Sequence, residues 1–194
     1  MFVCAGFYAC TASSRSLSGG SLLPDDYKTV DAPLFYHAEA IKKYLVDRNV
    51  HDASELLKTA VRIDSNYAPA YYLLAKILLE NNDALAAAGF AEKASRIDSA
   101  NLTYESQFAA ALVMSEQYDD ALKLYSDLVV RDPYNPVNYR LLAALYDYKG
   151  QRFTAISVLD TAEVRLGRIE ELSAFKRELL FGVRLYEKAL EESR

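Results

Sequence analysis

The stretch PVNYRLLAALYDYKGQRFTAISVLDTAEVRLGRI, residues 136–169, decides the fold because its pattern occurs repeatedly along the chain. Its alanine at position 155 belongs to a series with a fixed interval of 34 residues: Ala53, Ala87, Ala121, Ala155 and Ala189. A fixed period of about 34 residues indicates one small structural unit copied along the chain, and it is typical of helix–turn–helix arrays. Aligning the alanines places the unit starts at Leu34, Ala68, Leu102, Pro136 and Glu170.

Each unit combines two amphipathic helices that are separated by a polar turn. In residues 136–169, the first helix carries apolar side chains at the spacing i, i+3, i+4 and i+7: Tyr139, Leu142, Ala143 and Tyr146. The second unit matches these positions, and the third departs at the leading aromatic position, where Glu105 stands. The second helices carry the marker alanine early, and this small side chain allows close helix packing. Proline and asparagine between units, as in residues 132–135, indicate turns and helix caps.

The sequence therefore predicts an all-α fold, an α-solenoid of antiparallel helix pairs. We expect four full repeats, at residues 34–67, 68–101, 102–135 and 136–169, and a partial fifth repeat at residues 170–194. The pattern resembles the tetratricopeptide repeat (TPR) family, with Tyr at the fourth position, Leu-Ala at the seventh and eighth, and Ala at the twentieth. This resemblance implies a right-handed superhelix in which the first helices of the units line a concave face.

The resemblance also implies that positions two, five, nine and twelve of each unit point into the concave face. From these positions we predict the following partner-binding residues: Phe35, Lys42, Tyr72, Lys76, Ser106, Arg140 and Asp147. Because three of them are cations, the surface suits an extended or helical segment that carries acidic groups. The alternative is that Lys42, Lys76 and Arg140 are ordinary solvated charges.

Composition limits the classes of function. A hydrophobic fraction of 52% with 25% charged residues is typical of a globular chain. The net charge is −5 and the cations are scattered, so nucleic acid is not an expected partner. No stretch reaches the roughly 18 apolar residues that a membrane span needs. Apart from Asp52 beside His51, neither His37 nor His51 has a metal-ligating neighbour at suitable spacing. We therefore predict no metal, no cofactor and no catalytic residue.

The amino-terminal residues 1–10 consist of a short apolar segment, MFVCAGFYA, and Cys10. A small residue before a cysteine, with a Ser/Gly-rich tract after it, resembles the end of a bacterial lipoprotein signal. We therefore expect lipidation at Cys10, a flexible linker at residues 11–33, and an outer-membrane location facing the periplasm. The segment departs from that signal because it is short and no basic residue precedes it. The alternative is a disordered terminus with incidental cysteines, on a cytoplasmic protein.

The carboxyl-terminal residues 170–194 keep the phase of the repeat up to Ala189. One interpretation is a solvating capping helix. The other, which we favour, is the front portion of a longer array that is cut within its fifth repeat. Apolar residues such as Leu180 and Val183 would then be uncovered, which predicts self-association through this end. Together with the amino-terminal segment, the chain resembles the N-terminal part of the TPR lipoproteins of Bacteroidetes.

These features predict a non-enzymatic protein–protein interaction scaffold or adaptor of the bacterial cell envelope. Its expected partners are other proteins or peptide segments, and its expected contact with a membrane is the lipid anchor at Cys10. Two alternatives stay open. The chain is a cytoplasmic TPR regulator or co-factor, or it is the accessory array of a longer protein whose C-terminal part is missing.

Overall fold

The computed structural model describes residues 32–182, which form α-helices joined by short turns and contain no strand. The helices are α1 (Ala32–Leu45), α2 (Val50–Ile63), α3 (Ala68–Glu80), α4 (Ala84–Ile97), α5 (Leu102–Met114), α6 (Tyr118–Arg131), α7 (Pro136–Tyr148), α8 (Arg152–Leu166) and α9 (Glu170–Gly182). The all-α prediction is therefore confirmed. Cys10, most of the expected linker, and residues 183–194 with Ala189 lie outside the described residues.

The helices begin where the repeat predicts. Helices α3, α5, α7 and α9 start at the first residues of units two to five, and α1 starts two residues before the predicted first unit. Each helix packs against the next one in the chain, and α3 also contacts α5, as α7 contacts α9. A chain in which each unit packs on its neighbours is a solenoid. Four helix pairs and the first helix of a fifth thus form an α-solenoid.

The marker alanines lie in the hydrophobic core between neighbouring helices. Ala53, Ala87, Ala121 and Ala155 are all fully buried, with 0% of each side chain exposed. The residues seven positions later are equally buried: Ala60, Ala94, Leu128 and Ala162. A larger side chain at the marker position would push the helices apart, because protein interiors are close-packed. The interval of 34 residues therefore reflects a packing requirement.

The turn inside each repeat uses one residue in the left-handed backbone region. These residues also stand 34 positions apart and have φ values between 54° and 75°: Arg48, Asn82, Glu116 and Gly150. The turn then closes with a backbone hydrogen bond, for example from the amide of Gln117 to the carbonyl of Leu112 at 2.8 Å. Only glycine adopts this conformation without steric cost, so the other repeats tolerate some backbone strain here.

Asparagine and aspartate cap several helices. Asn101 accepts a hydrogen bond from the amide of Thr103 at 3.1 Å, and Asn135 accepts one from Val137 at 3.1 Å. Both residues were expected to act as caps from their place between units. Such caps satisfy amide groups that have no partner within the first turn of a helix.

In the third repeat, Glu105 stands at the leading aromatic position and forms an ion pair with Arg131. Glu105 is only 7% exposed and accepts a hydrogen bond from Arg131, which also donates to the carbonyl of Ser99 at 2.9 Å. In the fourth repeat the equivalent residues are Tyr139 and Arg165, and the guanidinium donates to the tyrosine hydroxyl at 3.2 Å. In both repeats, an arginine near the end of the second helix thus donates a hydrogen bond to the residue at the fourth position, which is a glutamate in the third repeat and a tyrosine in the fourth.

A candidate partner-binding groove on the first helices

Two adjoining cavities lie along the first helices of the repeats. The first, here called the tyrosine pocket, lies between α1, α3 and α5 and has a volume of about 440 Å³. It is lined by His37, Ile41, Tyr44, Leu45, Pro69, Tyr72, Leu73, Lys76, Asn101, Thr103 and Tyr104. The second, here called the amide pocket, reaches from α3 across α5 to α7 and has a volume of about 390 Å³. It is lined by Tyr72, Leu102, Thr103, Ser106, Gln107, Ala110, Asp132, Asn135 and Asn138.

The two pockets share the lining residues Tyr72 and Thr103, so they are adjacent. We call the two adjacent pockets together the first-helix groove. Its walls come from four successive first helices, α1, α3, α5 and α7, whose spacing is set by the repeat.

Aromatic and aliphatic side chains dominate the tyrosine pocket. The rings of Tyr72 and Tyr104 pack with their centroids 5.1 Å apart and their planes at 39°. Burial raises the pKa of Tyr104. The hydroxyl of Tyr44 donates to the carboxylate of Glu80, and burial, followed by this bond, raises the pKa of Tyr44 to about 12. The phenol groups of Tyr44 and Tyr104 thus stay neutral at physiological pH.

A histidine, His37, also lines the tyrosine pocket and is half-buried. Burial lowers the pKa of His37 below its ordinary value. Its Nδ1 atom lies 3.3 Å from the hydroxyl of Tyr67, and the two rings meet edge to face. This histidine therefore helps to hold α1 against the turn before α3. Within residues 32–182 no cluster of His, Cys, Asp or Glu is suited to hold a metal ion.

Lys76 is the charged residue of the tyrosine pocket. Two other predicted cations have a carboxylate nearby: Lys42 lies 4.0 Å from Glu39, and the Nε atom of Arg140 lies 3.1 Å from Glu171. Lys76 is exposed, and its ammonium has no hydrogen bond or ion pair with any residue between 32 and 182. Among the three cations predicted from sequence, Lys76 is therefore the one that is placed to meet an acidic group of a ligand.

The amide pocket contains an unusual buried polar side chain. Asn138 is only 1% exposed, and neither its Oδ1 nor its Nδ2 atom has a hydrogen-bond partner in the described part of the chain. The Oε1 atom of Gln107, on the opposite wall, is also buried and without a partner there. Buried amides are nearly always hydrogen-bonded, because leaving one unpaired costs free energy.

The structure brings together three of the seven predicted binding residues. Tyr72 and Lys76 line the tyrosine pocket, and Ser106 lines the amide pocket. The other four line neither pocket: Phe35, Lys42, Arg140 and Asp147. Asp147 accepts a hydrogen bond from Arg152 at 2.9 Å. A role of all seven residues in binding stays a prediction.

Sequence reasoning missed two residues of the groove that stand at the third position of their units, Tyr104 and Asn138. The TPR resemblance places positions two, five, nine and twelve in the concave face, and the third position is not among them. The sequence does contain one indication, because the residue type at the third position varies from unit to unit. An aromatic residue and an amide stand where the second unit has Ala70, which is fully buried.

A second depression, of about 610 Å³, lies between the second helices α4 and α6, with Phe108 and Leu112 of α5 at its base. Its lysine, Lys123, forms an ion pair with Asp120 at 2.9 Å. No side chain that lines it has a buried polar atom without a partner among residues 32–182. Although this depression is larger than either pocket of the first-helix groove, its polar groups are satisfied or solvated, and the first-helix groove is the better candidate site.

No family model matches the sequence, and no curated protein is significantly similar to it. Solved structures match the fold closely. A crystal structure of MamA protein superimposes with a TM-score of 0.76 at 15% identity, covering 84% of this chain and 89% of that one. MamA 41-end from Desulfovibrio magneticus RS-1 gives 0.73 at 19% identity, covering 84% and 91%.

A third structure is YrrB, described as a TPR protein with an unusual peptide-binding site. It superimposes with a TM-score of 0.68 at 20% identity, covering 81% of this chain and 80% of YrrB. At such low identities the likeness establishes the fold. The chain therefore has the TPR fold that its sequence pattern predicted, an α-solenoid of about four repeats and a partial fifth. In the part of the chain that the structure describes, no helix is both long and apolar enough to cross a membrane.

Proposed function

We propose that this protein is a non-enzymatic interaction scaffold that binds a segment of a partner protein in the first-helix groove. The observation that carries the proposal is the apolar tyrosine pocket beside Lys76, a cation without an ionic partner among the described residues. The peptide-binding site named for YrrB, which has the same fold, is consistent with this proposal. Fold alone does not determine a ligand, whereas the side chains that line the groove do.

The tyrosine pocket is suited to an aliphatic or aromatic side chain. Its volume of about 440 Å³ exceeds that of any single side chain, so it also accepts the neighbouring main chain. Burying apolar surface contributes roughly 25 cal/mol per Å², which makes such an anchor the main source of affinity. Tyr72 and Tyr104 supply rigid walls with little loss of side-chain entropy.

Lys76 determines the charge of the ligand. An acidic side chain or a terminal carboxylate next to the anchor would pair with the ammonium at the edge of the apolar pocket. Exposed ion pairs contribute little, but a pair that forms beside a dehydrated pocket contributes more and steers association. We therefore propose a partner segment with an acidic group next to an apolar anchor residue.

The test uses the full chain and a display library of random 12-residue peptides. We expect selected peptides to be enriched in Asp or Glu beside an apolar residue. Lys76→Glu and Tyr72→Ala should each weaken binding of a selected peptide at least tenfold. Lys123→Glu, the same charge change between α4 and α6, should leave the affinity unchanged. If Lys123→Glu weakens binding and the two groove variants do not, the first-helix groove is not the binding site.

We further propose that the scaffold works in the cell envelope, as an outer-membrane lipoprotein that faces the periplasm. This proposal rests on the sequence around Cys10, which lies outside the described residues. Metabolic labelling with an alkyne analogue of palmitate tests it. Label should appear on the wild type and on Cys4→Ala, and it should be lost from Cys10→Ala. An unlabelled wild type would overturn the proposal and favour the cytoplasmic alternative.

A further inference from the structure

Two tyrosines of neighbouring repeats meet at the edge of the solenoid that carries the turns inside the repeats. The rings of Tyr118, the first residue of α6, and Tyr148, the last residue of α7, have centroids 4.4 Å apart and planes at 45°. Aromatic pairs in proteins usually have centroids about 4.5–7 Å apart, so these two rings are in direct contact. Among the ring pairs formed within residues 32–182, this pair is the closest.

The packing of the repeat does not require this tyrosine pair. Tyr118 and Tyr148 stand at the end of one turn in the third unit and at the start of the same turn in the fourth. The corresponding residues at the other junctions between described units contain no aromatic ring: Val50 with Glu80, Ala84 with Met114, and Arg152 with Gly182. The junction between the third and fourth repeats is therefore the one described junction at which two phenols meet at this edge.

The pair is held in place and is accessible to solvent. The ring of Tyr118 packs against the hydrophobic core of the third and fourth repeats, and Tyr148 is 68% exposed. Beside them, Lys149 forms an ion pair with Asp119 across the same junction. Neither tyrosine lines a pocket of the first-helix groove or the depression between α4 and α6. A small oxidant therefore reaches the pair without competing with a ligand in the groove.

Two phenol rings in contact can be joined by oxidation. A one-electron oxidant removes an electron from each phenol, and each phenolic proton leaves to water, which gives two phenoxyl radicals. The unpaired electrons reside partly on the Cε atoms beside the hydroxyl groups, so a Cε–Cε bond forms between the rings. One hydrogen then moves from each bonded Cε atom to the oxygen of its ring, which restores both phenols. The product is dityrosine, and the chain has lost two hydrogen atoms.

The composition of the chain favours this reaction. The chain contains no tryptophan, so no indole competes with the phenols for a one-electron oxidant. Although the chain has 15 tyrosines, coupling requires two radicals whose rings touch. The closest ring pair, with one partner widely exposed, meets both requirements.

We propose that Tyr118 and Tyr148 form an oxidative modification site, at which a haem peroxidase with hydrogen peroxide couples the two rings into a dityrosine within one chain. The peroxide accepts the two electrons and the two protons and becomes two molecules of water. The new bond joins the third repeat covalently to the fourth and closes a loop of the chain between α6 and α7. Closing a loop lowers the entropy of the unfolded chain, so the crosslinked protein should resist unfolding better. This site goes beyond the proposed function, because it does not depend on the groove.

The experiment uses the full chain, with its cysteines alkylated, at low concentration with a haem peroxidase and hydrogen peroxide. We expect dityrosine fluorescence in the single-chain band of a denaturing gel, an intact mass lower by two hydrogen atoms, and a crosslinked peptide that joins Tyr118 to Tyr148. Tyr118→Phe and Tyr148→Phe keep the ring but remove the reacting phenol, so each should abolish this product. Tyr104→Phe is the matched control, because it removes a phenol from the ring pair with Tyr72 at 5.1 Å, and it should leave the yield unchanged.

The proposal is overturned if the wild type forms no dityrosine, if dityrosine joins only separate chains, or if Tyr148→Phe gives the wild-type yield within one chain. A second readout tests the effect on stability. The urea midpoint of the purified crosslinked wild type should lie above that of the untreated wild type, whereas Tyr148→Phe treated in the same way controls for other oxidation. A midpoint that does not rise would contradict a stabilising crosslink between the third and fourth repeats.

Discussion

Arg131 donates a hydrogen bond to the buried carboxylate of Glu105, at the place where the next repeat pairs Arg165 with Tyr139. The third and fourth repeats thus share the arginine and differ in the residue to which it donates. A carboxylate at this position loses its hydration, which opposes the attraction of the guanidinium. The balance between these two effects has a measurable consequence for stability.

The first prediction concerns the pH dependence of this pair. The pKa of Glu105 lies above its ordinary value, and burial is the largest cause of the rise. The charge of Arg131 lowers this pKa, whereas the charge of Asp127 adds to the rise. A raised folded-state pKa means that the folded chain binds the proton more tightly than the unfolded chain. The contribution of Glu105 to the free energy of unfolding is therefore complete below its ordinary pKa of 4.5 and is lost as the pH rises through its folded-state pKa.

Urea unfolding at pH 5 and pH 7 of the wild type and Glu105→Gln tests the sign. The Glu105→Gln variant does not titrate at this position. The free energy of unfolding of the wild type, minus that of the variant, should therefore be larger at pH 5 than at pH 7. Exposed carboxylates such as Asp119 titrate alike in both proteins and cancel in the difference. A relative loss of stability at pH 5 would mean that the attraction of Arg131 outweighs burial.

The second prediction concerns the left-handed turn residues. Glu116 has a φ of 62° and Gly150 a φ of 75° at equivalent positions. Glu116→Gly should raise the free energy of unfolding by about 0.5–1 kcal/mol, because glycine relieves the strain. Gly150→Ala should lower it by about 1 kcal/mol. A Cβ atom on Gly150 would meet no atom within 4 Å, so this loss would report backbone strain alone.

The third prediction concerns the marker alanines. Ala121→Leu should lower the free energy of unfolding by about 1–3 kcal/mol or more, because the extra volume has no space between the helices. Ala174→Leu is the matched control, since Ala174 lies on the exposed side of α9. Thermal unfolding followed by circular dichroism should show a lower midpoint for the first variant. Equal midpoints would contradict a packing origin for the period.

The fourth prediction concerns a buried lysine in α9. Lys176 is 8% exposed at the position where the second and fourth units have leucine, and its Nζ atom lies 2.9 Å from both Asp160 and Glu163 on α8. Lys176→Leu should leave stability unchanged or raise it, because apolar residues replace buried ion pairs well. The double variant Asp160→Asn, Glu163→Gln should lower it by about 1–2 kcal/mol, because the ammonium stays buried with weaker partners. Denaturant unfolding measures both; a greater loss for Lys176→Leu would contradict this account.

The sequence predicted the helices and their register because local periodicity determines which face of a helix is buried. Helices α3, α5, α7 and α9 accordingly begin at the predicted unit starts. Contacts that depend on the relative placement of helices could not be predicted. Glu105 was noticed as an exception, yet its partner Arg131 lies 26 residues away on another helix.

The residues of the first-helix groove could also be predicted only in part from the sequence. Tyr72 and Lys76 were predicted from their repeat positions, because the TPR resemblance implies that those positions point into the concave face. Tyr104 and Asn138 were not, because whether a third-position residue faces a neighbour or a pocket depends on how far apart two first helices lie. The left-handed residue Glu116 was also unpredictable, since it lacks the glycine signal that Gly150 gives.

The most direct test of the central claim is photo-crosslinking in the living cell. A benzophenone amino acid replaces either Tyr72 in the first-helix groove or Phe153, an exposed residue at the start of α8. We predict a discrete crosslinked partner protein from position 72, which is lost when Lys76→Glu is added, and no such product from position 153. The same product from position 153, or its persistence in the presence of Lys76→Glu, would contradict binding in the first-helix groove.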